Sequence, residues 1–296
     1  MRTFEQISNL RTYLRGLRQE RKTVGFVPTM GALHAGHLSL VQRARGECDV
    51  VVVSIFVNPT QFGPKEDYSK YPRDMPRDMQ LTSNAGVDAL FLPTSEEIYP
   101  AGFQTWVEVT EVSKPLEGAL RPEHYRGVAT VVTKLLNIVQ PDIAYFGQKD
   151  YQQFLVVERL ARDLNMPATI QMVPTLRESD GLAMSSRNVY LSEEERSAAT
   201  LLSRLLSTAG QRVLAGVTSA QTLRAELEAL VSAEPLATLE YIELVHPDTL
   251  KPIQTLGEGV TLVVAAVRFG KTRLIDNALI APEGVAPPRP RVSKGV

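Results

Sequence analysis

The sequence predicts an α/β protein: a doubly wound, mostly parallel sheet with a second, smaller α+β domain behind it. Three observations carry this. Segments with apolar residues at helical spacing alternate with short apolar strands as far as residue 173. One strand, Val50-Val51-Val52-Val53-Ser54-Ile55-Phe56-Val57, is apolar without alternation, as a strand buried on both faces must be. Near residue 190 the texture changes to helices followed by three strands joined by turns.

Taken in order, Ile7, Leu10, Leu14 and Leu17 predict a helix over 4–20, which delivers the chain to a strand over 23–27. A Gly-rich turn, a helix near 38–45 and the apolar strand complete a β-α-β unit. The alternation continues with a helix over 73–85, a strand over 89–92, a helix over 127–139 and a strand over 143–146. A helix over 151–164 and a strand over 169–173 follow. Ser192-Glu193-Glu194-Glu195 is a capping box expected to open a long helix, with a second helix over 219–232 and strands over 237–245, 261–269 and 272–280. These limits give a Rossmann-like domain over 1–184 and a smaller α+β domain over 185–283. Residues 284–296, proline-rich and polar, are expected to form a disordered tail. In a doubly wound sheet, ligands bind beyond the carboxyl ends of the strands, so the site is expected in strand-to-helix loops.

Composition narrows the function. Among 296 residues, 32 Lys and Arg face 33 Asp and Glu for a formal charge of -1, without the basic excess a nucleic-acid partner requires. Cys48 is the single cysteine and has no internal disulfide partner, which suits a reducing compartment. The N-terminus lacks the apolar core of a signal peptide, and no run approaches the roughly 18 apolar residues of a membrane span. A cytoplasmic protein without a membrane partner is the expectation.

The chemistry concentrates in a few segments. Pro28-Thr29-Met30-Gly31-Ala32-Leu33-His34-Ala35-Gly36-His37 lies between a strand and a helix, where backbone N–H groups and a helix dipole can receive phosphate. Half of the chain's four histidines fall in this turn, and their imidazoles can stabilise charge growing on a phosphate. Met184-Ser185-Ser186-Arg187-Asn188 sets two hydroxyls beside a guanidinium, a phosphate clamp. Phe146-Gly147-Gln148-Lys149-Asp150-Tyr151-Gln152-Gln153 supplies Lys149 for a phosphate and Gln153 for a small hydroxy acid. Asn58 and Gln61 stand at the mouth of the buried strand, and Arg121 could hold a carboxylate. Gly270-Lys271-Thr272 echoes the end of a P-loop but lacks its preceding glycine and following helix, so it is set aside.

The two phosphate segments resemble the His-x-Gly-His and Lys-Met-Ser-Lys-Ser pair of a nucleotidyltransferase superfamily, the second only in part. Taken with the Phe56-Val57-Asn58-Pro59-Thr60-Gln61-Phe62 and Asp180-Gly181-Leu182-Ala183-Met184-Ser185-Ser186-Arg187-Asn188 segments, the chain is similar over residues 1–283 to the pantoate-β-alanine ligase family. That resemblance implies an ATP-dependent condensation of pantoate with β-alanine through a pantoyl adenylate, releasing AMP and pyrophosphate. It implies that Met30, Gly31, Ala32, Leu33, His34, Ala35, Gly36, His37, Gly147, Gln148, Lys149, Asp150, Leu176, Met184, Ser185, Ser186 and Arg187 surround ATP. His37 is the usual catalytic assignment, with His34, Lys149, Ser185, Ser186 and Arg187 stabilising the phosphates. Gln61, Gln153, Asn58 and Arg121 would bind pantoate. The resemblance further implies Mg²⁺ held mainly by ATP, no dedicated metal site, and a homodimer whose smaller domain closes over the nucleotide. Ala35 and Gln148 each stand where Glu is common in the family; both flank the reacting groups. The alternative is a nucleotidyltransferase that adenylylates a phosphorylated cofactor precursor and keeps AMP in its product.

Overall fold

The computed structural model describes residues 1–64 and 66–282, and the backbone of residues 292 and 293. Its strands and helices run, in chain order, β1 (Arg2–Phe4), α1 (Ile7–Gln19), β2 (Val24–Thr29), α2 (Ala35–Glu47), β3 (Val50–Ile55), α3 (Met75–Asn84) and β4 (Ala89–Phe91). Next come α4 (Ser95–Ile98), α5 (Glu117–Leu120), α6 (His124–Val139), β5 (Ile143–Gly147), α7 (Tyr151–Asp163) and β6 (Thr169–Val173). The remainder is α8 (Glu193–Ala199), α9 (Leu201–Leu214), α10 (Ala220–Ser232), β7 (Ala237–Val245), β8 (Thr261–Phe269), β9 (Thr272–Ile280) and β10 (Val292–Ser293).

The chain divides into two compact units, one of Met1–Gly147, Gln152–Pro174 and the two residues of β10, the other of Gln148–Tyr151 and the described residues from Thr175 to residue 282. In the first, the sheet order is β1-β4-β3-β2-β5-β6-β10. The first six strands pair in parallel, and β10 pairs antiparallel with β6. The fold class is therefore the α/β one expected. Every residue of β3 is buried, and Val51, Val52 and Val53 are wholly so, because helices cover both faces of the sheet. Each such Val side chain contributes about 2 kcal/mol through burial. Leu40, Val41 and Ala44 of α2 pack onto Val27, Val51 and Val53 of the sheet.

Two elements differ from expectation. Residues 2–4 form an edge strand, β1, that was not expected, since a three-residue segment cannot announce itself by pattern, and the helix expected over 4–20 begins at Ile7. The capping box at Ser192 is present, with the Glu195 N–H donating to Ser192 Oγ, but the helix stops after seven residues. Thr200 ends it: its hydroxyl donates to the Ser197 carbonyl at 2.8 Å, a local bond that competes with the helical ladder before α9 resumes. The expected tail, residues 284–296, lies outside the described residues apart from the two of β10.

In the second unit, β7, β8 and β9 form an antiparallel sheet. Leu202, Leu205 and Leu206 of α9 and Leu223, Leu227 and Val231 of α10 share one core with Ile242, Leu244, Val263, Ala265 and Val267. Gly270-Lys271-Thr272 is the turn into β9, with no helix after it.

Candidate active site

Sheet order reverses at β2: β3 lies on one side of it and β5 on the other, the topological switch point at which doubly wound sheets bind ligands. The chain leaving β2 passes through residues 30–33 into α2. Gly31 has φ 85° and Ala32 φ 50°. A Cβ on Gly31 would stand 2.9 Å from Ile55 Cγ2 and 3.0 Å from Asp78 Oδ2, so both conformation and space require glycine. His34 caps α2, its Nδ1 accepting from the Gly36 N–H at 3.1 Å, while His37 Nδ1 accepts from the His34 N–H at 3.4 Å. The two rings lie 4.1 Å apart, centroid to centroid. With Nδ1 accepting in each, the neutral rings carry their proton on Nε2, which becomes the donor.

Several amides of the turn are already engaged within the protein. Gly31 N–H donates to Thr29 Oγ1, Ala32 and Leu33 N–H donate to the Asp78 carboxylate, and His37 N–H donates to the His34 carbonyl. The Gly36 amide is engaged as well, and the two imidazoles add side-chain donors to the turn. The Leu33 side chain is 1% exposed and packs in the core with Val27, Leu40 and Ile55. Burial pushes the Asp78 carboxyl up, against the two amide donors that favour its charge.

Beyond β3, Asn58 caps a single turn of 3-10 helix, Pro59–Gln61. Asn58 was expected at the mouth of the strand; it is buried, with both polar atoms of its side chain engaged. Its Nδ2 donates to Gln61 Oε1 at 3.1 Å and to the Gly127 carbonyl at 3.2 Å, and its Oδ1 accepts from Tyr99 Oη at 2.8 Å. Gln61, its oxygen taken by Asn58, directs Nε2 to Met30 Sδ at 3.0 Å, so these two predicted residues are brought together. A Cβ on Gly127 would collide with the Thr60 carbonyl oxygen and lie 2.8 Å from Gln61 Cα; glycine lets α6 approach this turn.

Arg121 forms a two-bond pair with Glu66, Nε to Oε1 at 2.5 Å and Nη2 to Oε2 at 2.6 Å, and reaches the Gln61 carbonyl at 3.3 Å. Its guanidinium is thus committed to protein groups. Arg121 Nη1 lies 3.3 Å from His124 Nε2, which accepts, leaving His124 Nδ1 to donate to the Gln61 carbonyl at 2.8 Å. Burial first, and then the neighbouring guanidinium, push the His124 imidazole down to about 4. The ion pair and hydrogen bond hold Glu66 below its usual range despite burial. Gln153, third residue of α7, is half-buried.

In the second unit, Gln148, Lys149 and Asp150 form a turn of 3-10 helix, with Lys149 Nζ 3.8 Å from Asp150 Oδ1. Asn277 of β9 fixes this turn by donating Nδ2 to the carbonyls of Gln148 and Lys149 at 3.0 and 2.9 Å. The next-door residue, Asp276, is buried and takes two bonds from Arg177 at 2.6 and 3.0 Å. Arg177 bridges to Ala183, and Leu176 accepts from the Met184 N–H, so residues 176–184 double back as a short hairpin. Ser185 then caps a 3-10 turn, Ser186–Tyr190, its Oγ accepting from the Arg187 N–H at 3.2 Å. Met184, Ser185, Ser186 and Arg187 are half-buried, and Leu176 is 40% exposed. Two adjacent residues of β9 therefore bring together the Lys149 turn and the Leu176 to Arg187 segment.

Sequence reasoning passed over Asp78, Glu66, His124, Asp276 and Asn277. Each makes its bonds to residues far along the chain, so no local motif marks it. A signal lay in β9, where Asp276-Asn277 sets two polar residues at consecutive buried positions of the strand.

A family model described as pantoate-beta-alanine ligase matches residues 2–279. The chain is similar to pantothenate synthetase of Pelotomaculum thermopropionicum, 54% identical across 93% of this chain and 97% of the relative, and to that of Chloroflexus aggregans, 58% identical across 87% and 93%. Its fold matches the crystal structure of pantothenate synthetase from Thermus thermophilus with a TM-score of 0.90 at 49% identity, covering 95% of this chain and all of that one. It also matches pantoate-beta-alanine ligase from Francisella tularensis, complexed with beta-gamma ATP and beta-alanine, with a TM-score of 0.78 at 36% identity, covering 94% and 97%.

Proposed function

Since the chain belongs to the pantoate-β-alanine ligase family, we propose that it condenses pantoate with β-alanine at the expense of ATP. A carboxylate oxygen of pantoate attacks the α-phosphorus, the Pα–O bond to the β-phosphate breaks, and pyrophosphate leaves. The neutral amine of β-alanine then adds to the acyl carbon, AMP departs with the bridging oxygen, and the nitrogen loses a proton as the amide forms.

The observation that carries the residue roles is the pairing of His34 and His37 at the switch point, each with Nδ1 accepting, which puts the ring N–H on Nε2. The Nε2–H groups stabilise charge on the phosphates as pyrophosphate leaves, and His37 is the catalytic member. Lys149, Ser185, Ser186 and Arg187 bind the same nucleotide, with Met30, Gly147, Gln148, Asp150, Leu176 and Met184 as further nucleotide contacts. Gln61 and Gln153 bind pantoate's hydroxyl and carboxyl oxygens. Asn58 orients the Gln61 amide, and Arg121, engaged by Glu66, supports the Gln61 carbonyl. Mg²⁺ accompanies ATP on its phosphate oxygens and water, an arrangement that needs no cage of protein carboxylates. A homodimer in the cytoplasm goes with this reading; a sedimentation mass of one chain would contradict the dimer.

An omission assay tests the reaction. With ATP, Mg²⁺, pantoate and β-alanine, AMP, pyrophosphate and pantothenate should appear together. Omitting pantoate should abolish all three. A stable product that retains AMP would favour a nucleotidyltransferase instead.

A further inference from the structure

Asp78 belongs to none of the motifs in the sequence and takes no part in the steps above, yet it is 1% exposed beside the histidine turn. A buried carboxylate persists only where hydrogen bonds replace its water. This one takes the Ala32 N–H on Oδ2 and the Leu33 N–H on Oδ1, each at 2.8 Å. Two bonds to successive amides, one per oxygen, fix the planes of both peptides. They hold Ala32 at φ 50°, a left-handed conformation that a residue with a Cβ adopts only when its surroundings impose it. A Cβ on residue 31 would come to 3.0 Å from Asp78 Oδ2, so beside the clamp the turn has room only for glycine. His34 follows directly as the extended cap of α2, and His37 is oriented through the His34 amide.

The carboxylate also occupies two of the amides that a strand-to-helix turn would otherwise extend to an anion. Those two amides being engaged, the donors this turn can aim at a phosphate include the imidazoles, whose aim depends on it.

We propose that Asp78 is a positioning residue for the adenylation step, clamping residues 31–33 so that His34 and His37 present their Nε2–H donors to the phosphates. This rests on the functional reading above. In Asp78→Asn one oxygen still accepts, but the amide nitrogen faces a backbone donor. Single-turnover formation of pantoyl adenylate, with β-alanine omitted, should fall ~100-fold, the scale of a displacement near 1 Å, while the KM for pantoate stays within about twofold. The ring ¹⁵N shifts of His34 and His37 should move, which a change in global stability alone would not cause. A folded Asp78→Asn enzyme within about threefold of wild type, or with unshifted imidazoles, overturns the role. Should the variant not fold, hydrogen exchange on the wild type decides: the Ala32 and Leu33 amides must be protected before nucleotide is added, and protection gained only with ATP overturns the clamp. A wild type that forms no adenylate overturns the functional reading and this role with it. An active wild type beside an equally active variant overturns the role alone.

Discussion

At the residue scale, the histidine turn is where sequence and geometry meet most closely. His34 and His37 were legible because their chemistry is contiguous: two imidazoles and a glycine within four residues. What holds them was not legible, since Asp78 lies more than forty positions away on a helix where a carboxylate reads as solvated charge. His37→Ala should lower the rate of adenylate formation by about 10² to 10³, as loss of one aimed donor does, with the fold intact by circular dichroism. Wild-type rates in that variant would remove His37 from the chemistry. His124 supplies a pH prediction. Its imidazole titrates near 4 in the folded chain against 6.5 unfolded, so the unfolded state binds the extra proton first. Its contribution is complete above pH 6.5 and is lost as pH falls toward 4, amounting to about 3 kcal/mol. His124→Gln should flatten that limb of the stability curve, read by urea unfolding at several pH values; an unchanged acid limb would contradict the assignment.

At the element scale, strands and helices of the doubly wound sheet were readable from periodicity because burial on both faces leaves an unbroken apolar run, as in β3. β1 was not, since three residues carry no period. α8 was misjudged in length because Thr200 acts through a local hydrogen bond that composition does not reveal. Gly127 ties two elements together. Gly127→Ala would push a methyl group into the Thr60 carbonyl, displace the turn that presents Gln61, and cost about 1–3 kcal/mol. Thermal unfolding and the KM for pantoate should both show it, and a neutral outcome in both would argue against the close packing. In β9, Arg177→Ala would strand the buried Asp276 carboxylate and should destabilise by about 3 kcal/mol. The Lys149 turn, held by the neighbouring Asn277, should then exchange its amides faster; unaltered exchange and stability would contradict the coupling.

At the scale of the whole molecule, an α/β sheet with its strand order reversing at β2 sets a helix-capping histidine pair just after Met30, whose sulfur receives the amide of Gln61, and family membership names the reaction proposed for these groups. The central claim is that pantoate's own carboxylate oxygen attacks the α-phosphorus. Pantoate labelled with ¹⁸O in both carboxylate positions, turned over with ATP and β-alanine, tests it by mass spectrometry of the products. The account predicts one ¹⁸O in the phosphate of AMP and one in the amide of pantothenate; unlabelled AMP, or ¹⁸O in inorganic phosphate, would contradict it.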